Sequence, residues 1–283
     1  MKLSDINIRD PFILPVNGKY YMYGSRGMHG RGFDVYTADT LDGEWSAPKP
    51  VFLSAEHGIN RDTNWAPEVH FYNGKYYMFA TFEQDSGFRG TYILSCDTPD
   101  GKFVPHSDGA ITPRDWHSLD GTLYVSPDGT PYMVFCHEWV QINFGTIEAV
   151  RLSDDFKHPV GEPFTVIESR RSHWVKPQDT QVVTDGPYFY RAGDGRLLMI
   201  WSSFSGGYIT AVEESDNGDI TGKFTQYDGF LFESDGGHGM IFRDLEGCLR
   251  LTLHTPNSNS LERPAIFALR EDGACGLALG DKI

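Results

Sequence analysis

APEVHFYNGKYYMFAT, residues 66–81, reads as one tight β-hairpin. Apolar and aromatic residues fill both arms, and Asn73-Gly74 joins them. That pair is favoured in two-residue hairpin turns because both central positions need positive φ. Four more stretches share the form: DPFILPVNGKYYMYGS (10–25), DGTLYVSPDGTPYMVF (120–135), DGPYFYRAGDGRLLMIWSS (185–203) and GHGMIFRDLEGCLRLTLH (237–254). Their turn glycines, Gly18, Gly74, Gly129, Gly195 and Gly247, recur at intervals of 52 to 66 residues. Regular recurrence on that scale is the mark of a repeat architecture.

The repeat continues beyond the hairpin. GFDVYTADT (32–40), GTYILSCDT (90–98), GTIEAVRLS (145–153) and GYITAVEES (207–215) supply a third strand, with a weaker fifth copy in ERPAIFALR (262–270). A turn and a short aromatic strand close three of the units: DGEW (42–45), DGKF (100–103) and TGKF (221–224). Four strands in roughly 55 residues, five times over, predict an all-β, five-bladed β-propeller with four antiparallel strands per blade. No helical period is sustained over three turns, which argues against βαβ units. No linker-like tract interrupts the chain, so residues 1–283 are expected to form a single propeller domain.

Composition narrows the partners. With 24 Lys and Arg against 39 Asp and Glu, the formal net charge is −15, and no cluster of basic residues stands out. That excludes nucleic acid, whose nonspecific affinity comes from clustered cations, and docking on an anionic membrane surface. The apolar runs are strand-sized, far below the ~20 residues of a membrane span. Cys96, Cys136, Cys248 and Cys275 lie far apart and beside apolar stretches, so they read as buried free thiols. MKLSDINIRDPF lacks the apolar stretch of a signal peptide. Together these predict a cytoplasmic protein.

The innermost strand of each blade lines a propeller's channel, and equivalent positions then share one depth. Here the blade openings carry Asp10, Ala66-Pro67-Glu68, Asp120, Asp185 and His238. A lone Asp before Pro or Gly is usually a turn residue. Three at equivalent openings, joined by a histidine, repel one another and separate their pKa values, which is what acid–base chemistry requires.

These openings resemble glycoside hydrolase family 43. The resemblance rests on Asp10-Pro11, Trp65-Ala66-Pro67, Asp120 nine residues before Gly129, Asp185-Gly186-Pro187 and Gly237-His238-Gly239, in that order and over the whole chain. It implies a five-bladed propeller that hydrolyses arabinosides and xylosides with inversion. Asp10 is then the general base, Asp185 the general acid and Asp120 the residue that sets the acid's pKa and orientation. Inversion demands an acid and a base on opposite faces of the sugar, ~6.5–9.5 Å apart, with room for water. One departure matters: the family's acid is usually Glu in a Glu-Gly-Pro opening. Asp185 is a methylene shorter, a retraction of about 1.5 Å, and misplacement on that scale can cost ~100-fold. Glu138, at the end of a third-blade strand, is the substitute donor.

The same resemblance makes His238 a candidate calcium contact, through water, although a calcium ion prefers six to eight oxygens. No cofactor is required. For the sugar, Trp65 is the expected aromatic platform and Phe12 the second, with Glu138, His254 and Arg263 as polar contacts and Trp116-His117-Ser118 as a further candidate at the channel mouth. The expected activity is exo-acting, removing pentose from arabinose- or xylose-containing oligosaccharides. An α-L-arabinofuranosidase comes first and a β-xylosidase second. The rival is a sugar-binding propeller, either non-catalytic or a catalytically weakened enzyme: the first repeats its binding residues in every blade, which these openings do not, and the second would begin to decay at the Asp185 departure.

Overall fold

The computed structural model describes residues 1–59 and 62–283. Twenty strands form five four-stranded antiparallel sheets, each built from one continuous stretch of chain. Blade one holds β1 (Arg9–Val16), β2 (Lys19–Ser25), β3 (Gly32–Ala38) and β4 (Lys49–Leu53). Blade two holds β5 (Asn64–Tyr72), β6 (Lys75–Glu83), β7 (Arg89–Cys96) and β8 (Val104–Pro105). Blade three holds β9 (Ser118–Val125), β10 (Pro131–His137), β11 (Thr146–Leu152) and β12 (Pro159–Glu168). Blade four holds β13 (Asp185–Arg191), β14 (Leu197–Phe204), β15 (Tyr208–Ser215) and β16 (Phe224–Gln226), and blade five β17 (Gly237–Arg243), β18 (Leu249–Thr255), β19 (Arg263–Arg270) and β20 (Ala278–Lys282).

The first strands β1, β5, β9, β13 and β17 touch in sequence and β17 returns to β1, so they surround the axis as a five-bladed β-propeller. Each blade is apolar on both faces and packs on its neighbours. One buried cluster joins Phe12, Met22 and Phe82 with Met240 of blade five, and others join blades two with three, three with four and four with five. The closing aromatics Trp45 and Phe103 are buried, but they precede the fourth strands β4 and β8 and do not form them. Cys136 and Cys275 are buried and Cys96 half-buried. Cys248 is exposed, because it sits just past the tip of the β17–β18 hairpin.

Among the described residues, no strand is shared between the first and last blades. Side chains close the ring: Arg9 Nη1 pairs with Glu262 Oε1 at 2.7 Å, Asn7 Nδ2 donates to Glu262 O at 2.8 Å, and Arg263 Nε donates to Ser4 O at 2.9 Å.

Each inner strand carries a β-bulge near its start. The pairing steps from Arg9↔Ser25 to Phe12↔Tyr23 in blade one, and the same extra residue appears after Trp65, Leu119, Asp185 and Gly237. The bulged residues Asp10, Ala66, Asp120, Gly186 and His238 all have positive φ, at 53°, 47°, 58°, 49° and 49°. Non-glycine residues avoid this region, and bulges that re-aim side chains cluster at active sites.

Candidate active site

The bulges share one hydrogen-bonding scheme. A polar residue near the end of a blade's second strand, opposite the residue before its own blade's bulge, caps the bulge amide of the next blade. Ser25 Oγ accepts from Ala66 N–H at 2.7 Å, Thr81 Oγ1 from Asp120 N–H at 3.0 Å, Ser202 Oγ from His238 N–H at 2.8 Å, and His254 Nδ1 from Asp10 N–H at 3.2 Å. Blade three has Cys136 at that place, opposite Leu119, and a thiol is a weak acceptor. There the amide of Gly186 turns to the carboxylate of Asp120, donating to Oδ2 at 2.9 Å. A symmetric device thus yields one asymmetric site.

This register corrects the expected equivalence of the three aspartates. Asp10 and Asp120 occupy the bulge itself, but Asp185 stands one residue earlier, level with Arg9, Trp65, Leu119 and Gly237.

Asp10, Asp120, Asp185 and His238 line one cavity of about 240 Å3 with Trp65 and Glu138. Asp10 is buried, and burial works against its charge. The imidazole of His238, the Arg9 guanidinium, His254 and the hydrogen bond from Ser25 Oγ at 2.6 Å outweigh that and hold it below the ordinary carboxylate range. Burial, then the charge of Asp10, pushes Asp120 well up, while the Gly186 amide pulls the other way. Burial, then the charge of Asp120, pushes Asp185 up to about 7. Tyr208 donates its phenol to Asp185 Oδ2 at 3.0 Å. The three carboxyls have parted: one is held charged and the other two are pushed toward protonation.

His238 Nδ1 lies between the carboxyls, 3.3 Å from Asp10 Oδ1 and 3.6 Å from Asp120 Oδ2. Its Nε2 is buried and has no protein partner among the described residues. One imidazole nitrogen is not a calcium cage. No three His, Cys, Asp or Glu side chains stand close enough to hold a metal among the described residues. The orphaned nitrogen suits a water molecule.

Other expected contacts are redistributed. Trp65 lines the cavity, its indole N–H donating to Met28 O at 3.0 Å with the Arg89 guanidinium 5.7 Å from its ring centroid. Phe12 does not line it: its ring is in the core, edge-on to His70 and Tyr188. His254 is fully buried behind Asp10, its Nε2 bonded to Asn257 Oδ1 at 3.2 Å, so it supports the aspartate and meets no sugar. Arg263 is committed to ring closure through Ser4. Within Trp116-His117-Ser118, Trp116 stacks on His137 and none of the three lines the cavity. Glu138 does line it, but both carboxylate oxygens accept from the forked Arg89 guanidinium, at 2.5 and 2.9 Å. With both oxygens engaged by that fork, Glu138 offers no free oxygen to a leaving group, which favours Asp185 over it as the acid. Sequence reasoning missed Arg9, Ser25, Arg89 and Tyr208. Only Ser25 left a signal, as the last residue of the first hairpin with Thr81 at the matching place in the second.

The sequence matches the profile described as "Glycosyl hydrolases family 43" over residues 4–266. A curated relative from Emericella nidulans, "Probable arabinan endo-1,5-alpha-L-arabinosidase A", is 24% identical over 252 residues, covering 82% of this chain and 72% of the relative. "Xylosidase/arabinosidase 43A" of Humicola insolens is 26% identical over 155 residues, 48% of this chain and 46% of its own length. Among solved structures, the "endo-arabinase from Bacteroides thetaiotaomicron" is 36% identical with a TM-score of 0.88, covering 96% of this chain and 98% of that one.

Proposed function

The chain belongs to glycosyl hydrolases family 43, enzymes that cleave O-glycosyl bonds with inversion, and from that premise we propose that it hydrolyses α-1,5-linked L-arabinan and its oligosaccharides. The observation that carries the proposal is the parting of the carboxyls: Asp10 held charged, and Asp185 pushed up to about 7, around one cavity.

In this reading Asp10 is the general base. Ser25 and His254 fix it, and it takes a proton from the water that attacks the anomeric carbon. Asp185 is the general acid and gives its proton to the departing oxygen. Asp120 and Asp185 titrate as a pair, and two buried neighbouring carboxyls retain at least one proton near neutrality. Asp120 is committed to the Gly186 amide, so the transferable proton belongs to Asp185. His238 bridges the base and the modulator without a step of its own. Trp65 supplies an apolar platform, and the N–H groups of Arg89 not turned to Glu138 supply donors for sugar hydroxyls.

Arabinan is preferred to xylan because both the Emericella nidulans relative, matched over 82% of this chain, and the 36%-identical structure carry arabinan-directed names. The same names favour cleavage inside the chain. Release of single arabinose units is the second reading, favoured by a cavity of about 240 Å3 with room for one or two pentoses. Four unpaired cysteines support a reducing compartment.

Linear arabinan and arabino-oligosaccharides, with products separated over time, test the proposal. A ladder of short oligosaccharides with falling viscosity supports internal cleavage. Arabinose alone from the first minutes supports the second reading. No hydrolysis of either substrate, or equal rates on xylo-oligosaccharides, overturns the arabinan assignment.

A further inference from the structure

Tyr208 is wholly buried and lies on β15, yet its phenol reaches the cavity and donates to Asp185 Oδ2 at 3.0 Å. Asp185 Oδ1 has no protein partner among the described residues. The phenol is itself held on several sides. Its ring stacks on His254, centroids 5.7 Å apart at 20°, and packs against Phe204 at 5.0 Å. Its backbone is strapped to the segment before β17, the Tyr208 amide donating to Asp235 Oδ1 at 3.3 Å and its carbonyl accepting from Gly236 at 3.0 Å. Gly237 completes the slot, because a Cβ there would stand 2.6 Å from the Tyr208 ring. A side chain fixed this firmly does not swing when substrate enters.

We propose that Tyr208 is the positioning residue that lets an aspartate serve as the proton donor of blade four. By donating to Oδ2 it ties down one carboxyl oxygen, turns the short side chain to one rotamer and leaves Oδ1 to carry the proton. This inference rests on the reading of Asp185 as the acid. In the step, the Oδ1–H bond breaks as the proton passes to the glycosidic oxygen, whose bond to the anomeric carbon breaks with it. Water forms the new bond to that carbon and loses its proton to Asp10; Asp10 then releases that proton to solvent and Asp185 takes one up, which restores the starting state. Tyr208 itself gives up no proton, since burial and then the charge of Asp185 push its phenol well above the ordinary tyrosine range.

Tyr208→Phe keeps the ring and removes the donor. Two substrates separate positioning from structure: an arabino-oligosaccharide, whose leaving alkoxide needs protonation, and the 2,4-dinitrophenyl arabinofuranoside, whose leaving group does not. The expected loss in kcat/KM is roughly 10–100-fold on the oligosaccharide and at least about tenfold smaller on the aryl glycoside. The basic limb of the oligosaccharide pH profile should move to higher pH, because the phenol stabilises the charged carboxylate it donates to. Equal losses on both substrates, or an unmoved basic limb, overturn the inference. Should Tyr208→Phe fail to fold, 3-fluorotyrosine at 208 keeps the structure and strengthens the donor. The basic limb should then move to lower pH, and an unmoved limb is again fatal. Asp185→Ala distinguishes the two levels: if it too loses equally on both substrates, the acid assignment fails and the role of Tyr208 falls with it.

Discussion

The amide of Gly186 donates to Asp120 Oδ2 at 2.9 Å, where every other bulge amide is capped by the second strand of the blade before it. One bond therefore ties the modulator's carboxylate to the residue next to Asp185. The aspartate that shifts its neighbour's pKa is also the one that holds its neighbour's backbone.

Gly186 cannot be replaced without moving the site. Its φ is +49°, and a Cβ would lie 2.7 Å from His238 Cγ and 3.0 Å from His238 Cα. Because backbone must shift, Gly186→Ala should cost about 2–3 kcal/mol of stability and at least roughly tenfold in kcat. Denaturant unfolding and steady-state kinetics on the same preparation check this. A variant that folds and turns over like the parent contradicts the tight approach.

With Asp10 as the proposed base and Asp185 as the proposed acid, activity requires the first charged and the second protonated. Asp10 lies below the ordinary carboxylate range and Asp185 at about 7, so kcat/KM should form a bell. Its basic limb falls through pH about 7 as Asp185 loses its proton, and its acid limb lies below the range of an ordinary carboxylate. A pH–rate profile on an arabino-oligosaccharide reads both limbs, and a rate still rising above pH 8 is incompatible with Asp185 as the acid.

His254 couples the site to acid stability. Burial holds its imidazole down to about 4 against 6.5 for an ordinary histidine, so between those values the unfolded chain binds the proton more readily. Its contribution is complete above pH 6.5 and is lost as pH falls toward 4, about 3 kcal/mol in all. Asp120 and Asp185 pull the other way, because burial makes them bind protons more readily folded than unfolded. The informative quantity is the difference between parent and His254→Gln. The parent should lose stability relative to the variant on acidification from pH 6.5 to 4, and parallel curves contradict the assignment.

Glu138 tests the division between acid and wall. With both oxygens on the Arg89 fork, Glu138→Gln should leave a guanidinium short of its counter-charge and raise KM. The effect on kcat should stay within about tenfold, against the roughly 100-fold or greater loss expected on removing a general acid. A kcat loss at Glu138 matching that of Asp185→Ala returns Glu138 to the role of donor.

The repeating hairpins were legible because Asn-Gly and Asp-Gly turns and alternating aromatics are local features. Asp10, Asp120, Asp185 and His238 were legible because the repeat counted them to one end of the channel. Three things were hidden. The bulge that places Asp185 one residue ahead of the other aspartates leaves no mark, since Asp-Gly-Pro and Asp-Pro look alike whichever residue takes positive φ. Arg263 and His254 were assigned to the sugar because both stand in fifth-blade strands near the mouth. Their partners, Ser4 and Asp10, lie 259 and 244 residues away, and no spacing reports such contacts. Tyr208 begins a third strand at a place where the other blades carry Phe33, Thr91 and Thr146, and only the slot beside Gly237 gives its phenol a purpose.

The side-chain closure of the ring bears on how the enzyme comes into being during synthesis. Asp10 leaves the ribosome well before the fifth blade, but the imidazole that receives its amide is His254 and the carboxylate that holds Arg9 is Glu262. A nascent chain carrying four finished blades has an acid, a modulator and a base with neither of these supports. Hydrolysis should therefore begin only when the fifth blade docks, and truncation within that blade should silence the enzyme while the earlier blades still fold.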